Sequence, residues 1–176
     1  MAASAQTGLS KAKWGGHPPC AHPAPSRIQE PSPAVYKAIL LPIDLDQESS
    51  WKRALPLAVG LASTYAATLH LMTVVPDFGM SMVGLSFPAD FEKKALAAAG
   101  AALEQFLRDH VPAGIRGQAH VAHGTIYSEI IQAAATLHCD LIVLASHRPE
   151  MQDYLIGPNA ARVVRHTACS VMVVRE

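Results

Sequence analysis

Four short groups of residues carry the chemistry this chain can do. Asp44 closes the run Pro42-Ile43-Asp44 and supplies a carboxylate, an acceptor of hydrogen bonds from hydroxyl groups. Val74-Val75 offers backbone N–H and C=O groups between apolar side chains, and His123-Gly124 is a second backbone-rich point. The fourth group is Ala145-Ser146-His147-Arg148, followed after a polar stretch by Gly157-Pro158-Asn159 at the start of a helical segment. A helix start presents unpaired N–H groups and the positive end of its dipole, which favours an anion such as phosphate. Arg148 adds a cation there, and Asn159 adds a side-chain amide.

These groups need elements to hold them. Tyr36 to Leu41 predicts a strand that delivers Pro42-Ile43-Asp44 at its carboxyl end. Apolar residues recur at helical spacing from Trp51 to Tyr65, with Ser49 or Ser50 placed to cap and Pro56 in the second turn. Thr68 to Val75 predicts the second strand. Asp90 to His110 carries a helical stripe of Phe91, Leu96, Ala99, Leu103, Phe106 and Leu107. Gln118 to Ala122 predicts the third strand, and Ile126 to Leu137 a helix with Thr125 at its cap and Glu129 near its first turn. Leu141 to Ala145 is short and continuously apolar, as a strand buried on both faces should be. Ser146 to Ile156 then reads as a loop, Gly157 opens a helix ending near His166, and Ser170 to Val174 is the last strand.

Five strands thus alternate with four helices, which predicts a parallel, doubly wound α/β sheet with helices on both faces. Ligands of such sheets bind outside the carboxyl ends of the strands, where strand order reverses. All four groups fall at those ends, and together they suit a nucleotide. Asp44 can take ribose hydroxyls, the backbone at Val74-Val75 can read an adenine edge, and the last loop with its helix start can take phosphates.

Composition narrows the classes. Lys+Arg and Asp+Glu are 14 each, so nothing steers the chain toward nucleic acid or an anionic membrane. No apolar run reaches the ~20 residues of a membrane-spanning helix, and no secretory-type apolar segment is visible, so a cytoplasmic protein is expected. The three cysteines, Cys20, Cys139 and Cys169, make no disulfide framework. Cys139 and Cys169 flank predicted strands and are expected as small core residues. His17, Cys20 and His22 match no standard metal site. Residues 1–34 are rich in Pro and lack periodicity, so a disordered extension is expected before a folded domain at 35–176. Asp77 to Ala89, with Met80, Met82 and Phe87, reads as a mobile loop.

The ordered set Ile39-Leu40-Leu41-Pro42-Ile43-Asp44, Val74-Val75, Asp140 to His147, Val163-Val164-Arg165-His166 and Cys169 to Val174 resembles the universal stress protein family, from about Tyr36 to the C-terminus. The resemblance implies strand order 3-2-1-4-5 and homodimers paired through the last strand, here Cys169 to Arg175. It also implies ATP, or ADP or AMP in its place, with Mg2+ beside ATP. Many members hold ATP through Gly-x-x-Gly, nine residues, then Gly-Ser or Gly-Thr. In this chain Ala145 and Arg148 stand where the first two glycines would be, eight residues separate Arg148 from Gly157, and Pro158 replaces the hydroxyl residue. Glycines allow close backbone approach to phosphate. Pro158 supplies neither N–H nor hydroxyl, while Arg148 and Asn159 offer charge and an amide. The Ser-His-Arg-Pro-Glu loop is similar to that of short enterobacterial members. The expectation is therefore an altered phosphate grip, formed by Pro42, Ile43, Asp44, Val74, Gly124, Ala145, Ser146, His147, Arg148, Gly157, Pro158 and Asn159.

No catalytic set is visible. The chain has neither a P-loop nor a Gly-x-Ser-x-Gly elbow. His120, His123, His138 and His166 lack a paired Cys, Asp or Glu at ligand spacing, and read as structural or surface residues. With no residue to position water, ATP hydrolysis should be slow at most. Three functions remain open: an adenine-nucleotide-binding, non-catalytic stress module; a nucleotide-free stress protein working through oligomer surfaces; and a nucleotidyl-transferring α/β enzyme. Ser170 to Val174, an apolar strand at a sheet edge, invites pairing with a second copy as a two-fold dimer, with a tetramer as the next step.

Overall fold

The run Ile39-Leu40-Leu41 has no polar face to show, and the chain buries it completely, all three side chains being 0% exposed. It lies in β1 (Ala38–Pro42), the central strand of a five-stranded sheet. A computed structural model describes residues 35–76, 90–146 and 157–175. The other strands are β2 (Thr68–Val75), β3 (Gly117–His123), β4 (Leu141–Ser146) and β5 (Ser170–Arg175). Their order is β3-β2-β1-β4-β5 and every pair is parallel. The helices are α1 (Ala54–Tyr65), α2 (Asp90–His110), α3 (Ile126–Thr136) and α4 (Pro158–His166). The doubly wound sheet and the strand order implied by the resemblance are both present.

Alternation along the buried strands divides the core into two layers. Ile39, Leu41, Leu69, Leu71, Leu141 and Val143 pack with Ala54, Leu55, Ala58 and Ala62 of α1 and Leu103 of α2. Leu40, Met72, Ile142 and Leu144 pack on the other face with Ile130 and Ala134 of α3 and Ala160 and Val163 of α4. Continuous apolar runs were required because both faces are covered.

At the amino edge one side chain ties the centre together. Asp140 accepts from the backbone N–H of Lys37 at 2.7 Å and of Ala38 at 3.2 Å. Its own N–H donates to Ala38 O at 3.0 Å, and its carbonyl accepts from Ser170 N at 3.2 Å.

The first helix differs from its expected bounds. α1 begins at Ala54, after a 3-10 turn at Glu48–Ser50 and a further turn through Trp51. Ser50 does not cap it, since the hydroxyl is bound to the backbone of Asp44. Pro56 therefore sits in the first turn, where its missing N–H has no helical acceptor to lose. Thr125 stands just before α3 in extended conformation, but its side chain makes no capping bond. The expectations for residues 1–34 and for the loop at 77–89 lie outside the described residues.

Candidate functional site

A wholly parallel sheet gathers the carboxyl ends of all its strands on one rim. β1 is where the order reverses, because the chain builds outward through β2 and β3, then crosses to β4 and β5. The rim crevice between β1 and β4 is thus the topological switch point.

Pro42 ends β1, and Ile43, 5% exposed, continues past it by donating its N–H to Met72 O at 2.8 Å. Asp44 follows, exposed. Its N–H donates to Ser50 Oγ at 2.8 Å, and that hydroxyl donates back to Asp44 O at 2.9 Å. Asp44 Oδ1 accepts from Asp46 N at 3.0 Å. One carboxylate oxygen is therefore used in fixing the turn, and Oδ2 takes no hydrogen bond among the described residues.

The last loop is anchored at both ends. Ala145 and Ser146 close β4, paired with Val174 and Arg175 of β5. Ser146 Oγ accepts from Gly157 N at 3.2 Å, which brings the end of β4 to the start of α4. Gly157 precedes the helix and Pro158 is its first residue. The N–H groups of Asn159 and Ala160 then have no acceptor inside the helix, as at any helix start. Of the expected site residues, His147 and Arg148 lie outside the described residues.

Val74 and Gly124 stand farther along the same rim. The Val74 side chain packs partly against the second core layer and stays partly exposed. Gly124 N donates to Val75 O at 3.1 Å, joining the turn after β3 to the end of β2. Gly124 has φ +139°, a conformation that favours glycine. Beside this turn His123 Nδ1 lies 3.2 Å from Glu92 Oε1 at the start of α2. At a strand spacing of ~4.8 Å, the turn after β3 is about 14 Å from the end of β4. The expected residues that are described thus share one rim, with the helix start at one end and Gly124 at the other.

Two features were not anticipated. His70 Nδ1 and His120 Nε2 are 2.9 Å apart across β2 and β3, and His70 is 6% exposed. Burial lowers the His70 pKa, with the neighbouring His120 lowering it further, and burial lowers that of His120. The usable signal was register: His120 pairs with Met72, two residues along β2 from His70, so the two rings lie on the same face of adjacent strands. The second feature is Glu129, whose side chain lies against Gly124. Cys139 is a core residue, and its thiol is pushed up to about 12 by burial, then by Cys169 and Asp140. Among the described residues, no group of three or more His, Cys, Asp or Glu could hold a metal ion, and no helix is long and apolar enough to cross a membrane.

Comparison with known proteins places this geometry. Residues 35–175 match the universal stress protein family. The chain belongs to that family. It is 31% identical over 145 residues to Universal stress protein G of Shigella flexneri, a match covering 80% of this chain and 100% of that one. Among solved structures it is similar to the universal stress protein UspA from Lactobacillus plantarum, with TM-score 0.62 and 23% identity over 80% of this chain and 98% of that one. It is also similar to the universal stress protein from Archaeoglobus fulgidus in complex with dAMP, with TM-score 0.54 and 16% identity over 79% and 98% of the two chains. The structural likenesses establish the shared fold.

Proposed function

We propose that this chain binds an adenine nucleotide in the rim crevice and acts as a cytoplasmic stress-response module with little or no catalysis of its own. The observation that carries this reading is the Ser146–Gly157 hydrogen bond, which draws the end of β4 to the start of α4 at the switch point. In this reading the N–H groups of Asn159 and Ala160 would receive phosphate, Asp44 ribose, and the β2 end the base. ATP is the expected form, with Mg2+ accompanying it, and AMP or ADP would use the same contacts. The dAMP carried by the Archaeoglobus relative supports the nucleotide class. Membership of the family supports the stress role. Val74 would contribute its backbone, with its partly buried side chain beside the base.

One observation favours a nucleotide-free module working through oligomer surfaces. Gly157 N–H is already engaged by Ser146, and Pro158 has none, so this helix start offers fewer donors than a Gly-Ser pair would. Mass spectrometry of gently purified protein separates the two. Copurifying adenine nucleotide supports the first reading; protein that is empty and takes up none supports the second. Sustained release of AMP and pyrophosphate from ATP would contradict the non-catalytic part.

A further inference from the structure

We propose that Cys139 and Cys169 form a peroxide-reactive thiol pair, which closes to an intrachain disulfide and fastens the start of edge strand β5 to the start of β4. The proposal is independent of the nucleotide reading above.

The placement of the two residues follows from the sheet. β4 begins at Leu141 and β5 at Ser170, and these two residues are partners in register. Ser170 N donates to Asp140 O at 3.2 Å, so the pairing extends back to the residues just before both strands. Cys139 and Cys169 are therefore neighbours on adjacent segments, offset by one residue. At a strand spacing of ~4.8 Å and a rise of ~3.3 Å per residue, their α-carbons stand about 5.8 Å apart, inside the range a disulfide spans. Both side chains enter the same core layer: Cys139, 7% exposed, is one of its buried members, and Cys169 packs against it while staying partly exposed. Both thiols are free. The upward push that Cys169 exerts on the Cys139 thiol has the same origin, two sulfurs close enough for like charges to repel.

Exposure divides the roles. Cys169 meets solvent, and Thr167 Oγ1 lies 3.2 Å from its sulfur. A hydroxyl donating to that sulfur favours the thiolate, the form that attacks. The thiolate takes one oxygen of hydrogen peroxide: an S–O bond forms, the O–O bond breaks, and the other oxygen leaves as hydroxide and is protonated to water. Cys169 is then a sulfenic acid, which condenses with a thiol. Burial keeps Cys139 protonated and away from peroxide, but beside the Cys169 sulfur. The Cys139 sulfur attacks there, the S–S bond forms, the S–O bond breaks, and the Cys139 proton leaves with the hydroxyl as water. Both sulfurs are oxidised, and the peroxide is reduced to two waters.

The test treats the full chain with hydrogen peroxide, alkylates the remaining thiols and reads a tryptic digest by mass spectrometry. Cleavage at Arg162 and Arg165 puts the two cysteines on separate peptides. Wild type should yield the Cys139 and Cys169 peptides linked, and dithiothreitol should separate them. Its Tm should rise by about 5 °C or more on oxidation. Cys139→Ala keeps the exposed thiol and removes its partner, so Cys169 should stop at a sulfenic acid that dimedone labels, while oxidised wild type takes up little dimedone. The wild-type peptide map decides even where Cys139→Ala folds poorly. Three results overturn the proposal: both cysteines alkylated after peroxide, Cys169 overoxidised in wild type with Cys139 still free, or Cys169 linked instead to Cys20 or to a second chain.

Discussion

Ala66 shows how much one residue can hide from sequence. It closes α1 with φ 53°, in the left-handed region, and donates its N–H to Ala62 O. That place usually belongs to glycine, and a residue with a Cβ is strained there by roughly 1–2 kcal/mol. Glycine's extra freedom in the unfolded chain offsets about 0.4–1 kcal/mol of any gain. Ala66→Gly should therefore stabilise by about 0.5–1 kcal/mol, read as a higher urea midpoint; a lower midpoint would mean the strain is absent. Nothing in the composition near Ala66 signals its conformation, because φ is set by where the helix must end to admit Thr68 into the sheet. Cys139 was legible for the opposite reason. Its place just before an apolar strand already implied burial. Asp44 was legible as a rim residue, but its bonds to Ser50 and Asp46 depend on a turn that helical periodicity had assigned to a capping serine.

At the scale of elements, the His70–His120 bridge makes the β2–β3 pairing pH-dependent. One proton can sit between Nδ1 and Nε2; protonating both rings removes the acceptor. Both folded pKa values lie below the ordinary 6.5. The unfolded chain therefore takes up protons first as pH falls, and stability fully present above 6.5 is lost as pH drops toward the lowered folded values. The apolar groups that α3 packs onto this face of the sheet are Ile130 and Ala134, with Tyr127, Ile131, Ala133 and Leu137 beside them. Urea melts at pH 7.5 and pH 5.0 should show wild type losing more stability than the double variant His70→Gln/His120→Gln. Equal losses would remove the pair as the cause. Strand and helix positions themselves were largely readable, because buried runs and helical stripes are local patterns. The bridge was not, since it depends on which strands are neighbours and in what register.

For the molecule as a whole, five strands alternating with helices determined a wound parallel sheet. Their spatial order came from family resemblance and not from periodicity, which is blind to it. The same sheet leaves β5 at an edge, with Val171 to Val174 partly exposed. We expect two copies to pair along it, so Val173→Lys should convert a dimer to a monomer in sedimentation; an unchanged dimer would place the interface elsewhere.

The central claim is that phosphate lies against the start of α4. Asn159→Asp puts a negative charge there while suiting a helix N-terminus, so folding stability should hold or rise. Calorimetric titration of wild type and this variant with ATP and with uncharged adenosine is the direct measurement. Wild type should bind ATP, and the variant should bind it about tenfold or more weakly with adenosine affinity unchanged. Equal ATP affinity in the two proteins, or no ATP binding by wild type at millimolar concentration, would contradict the account.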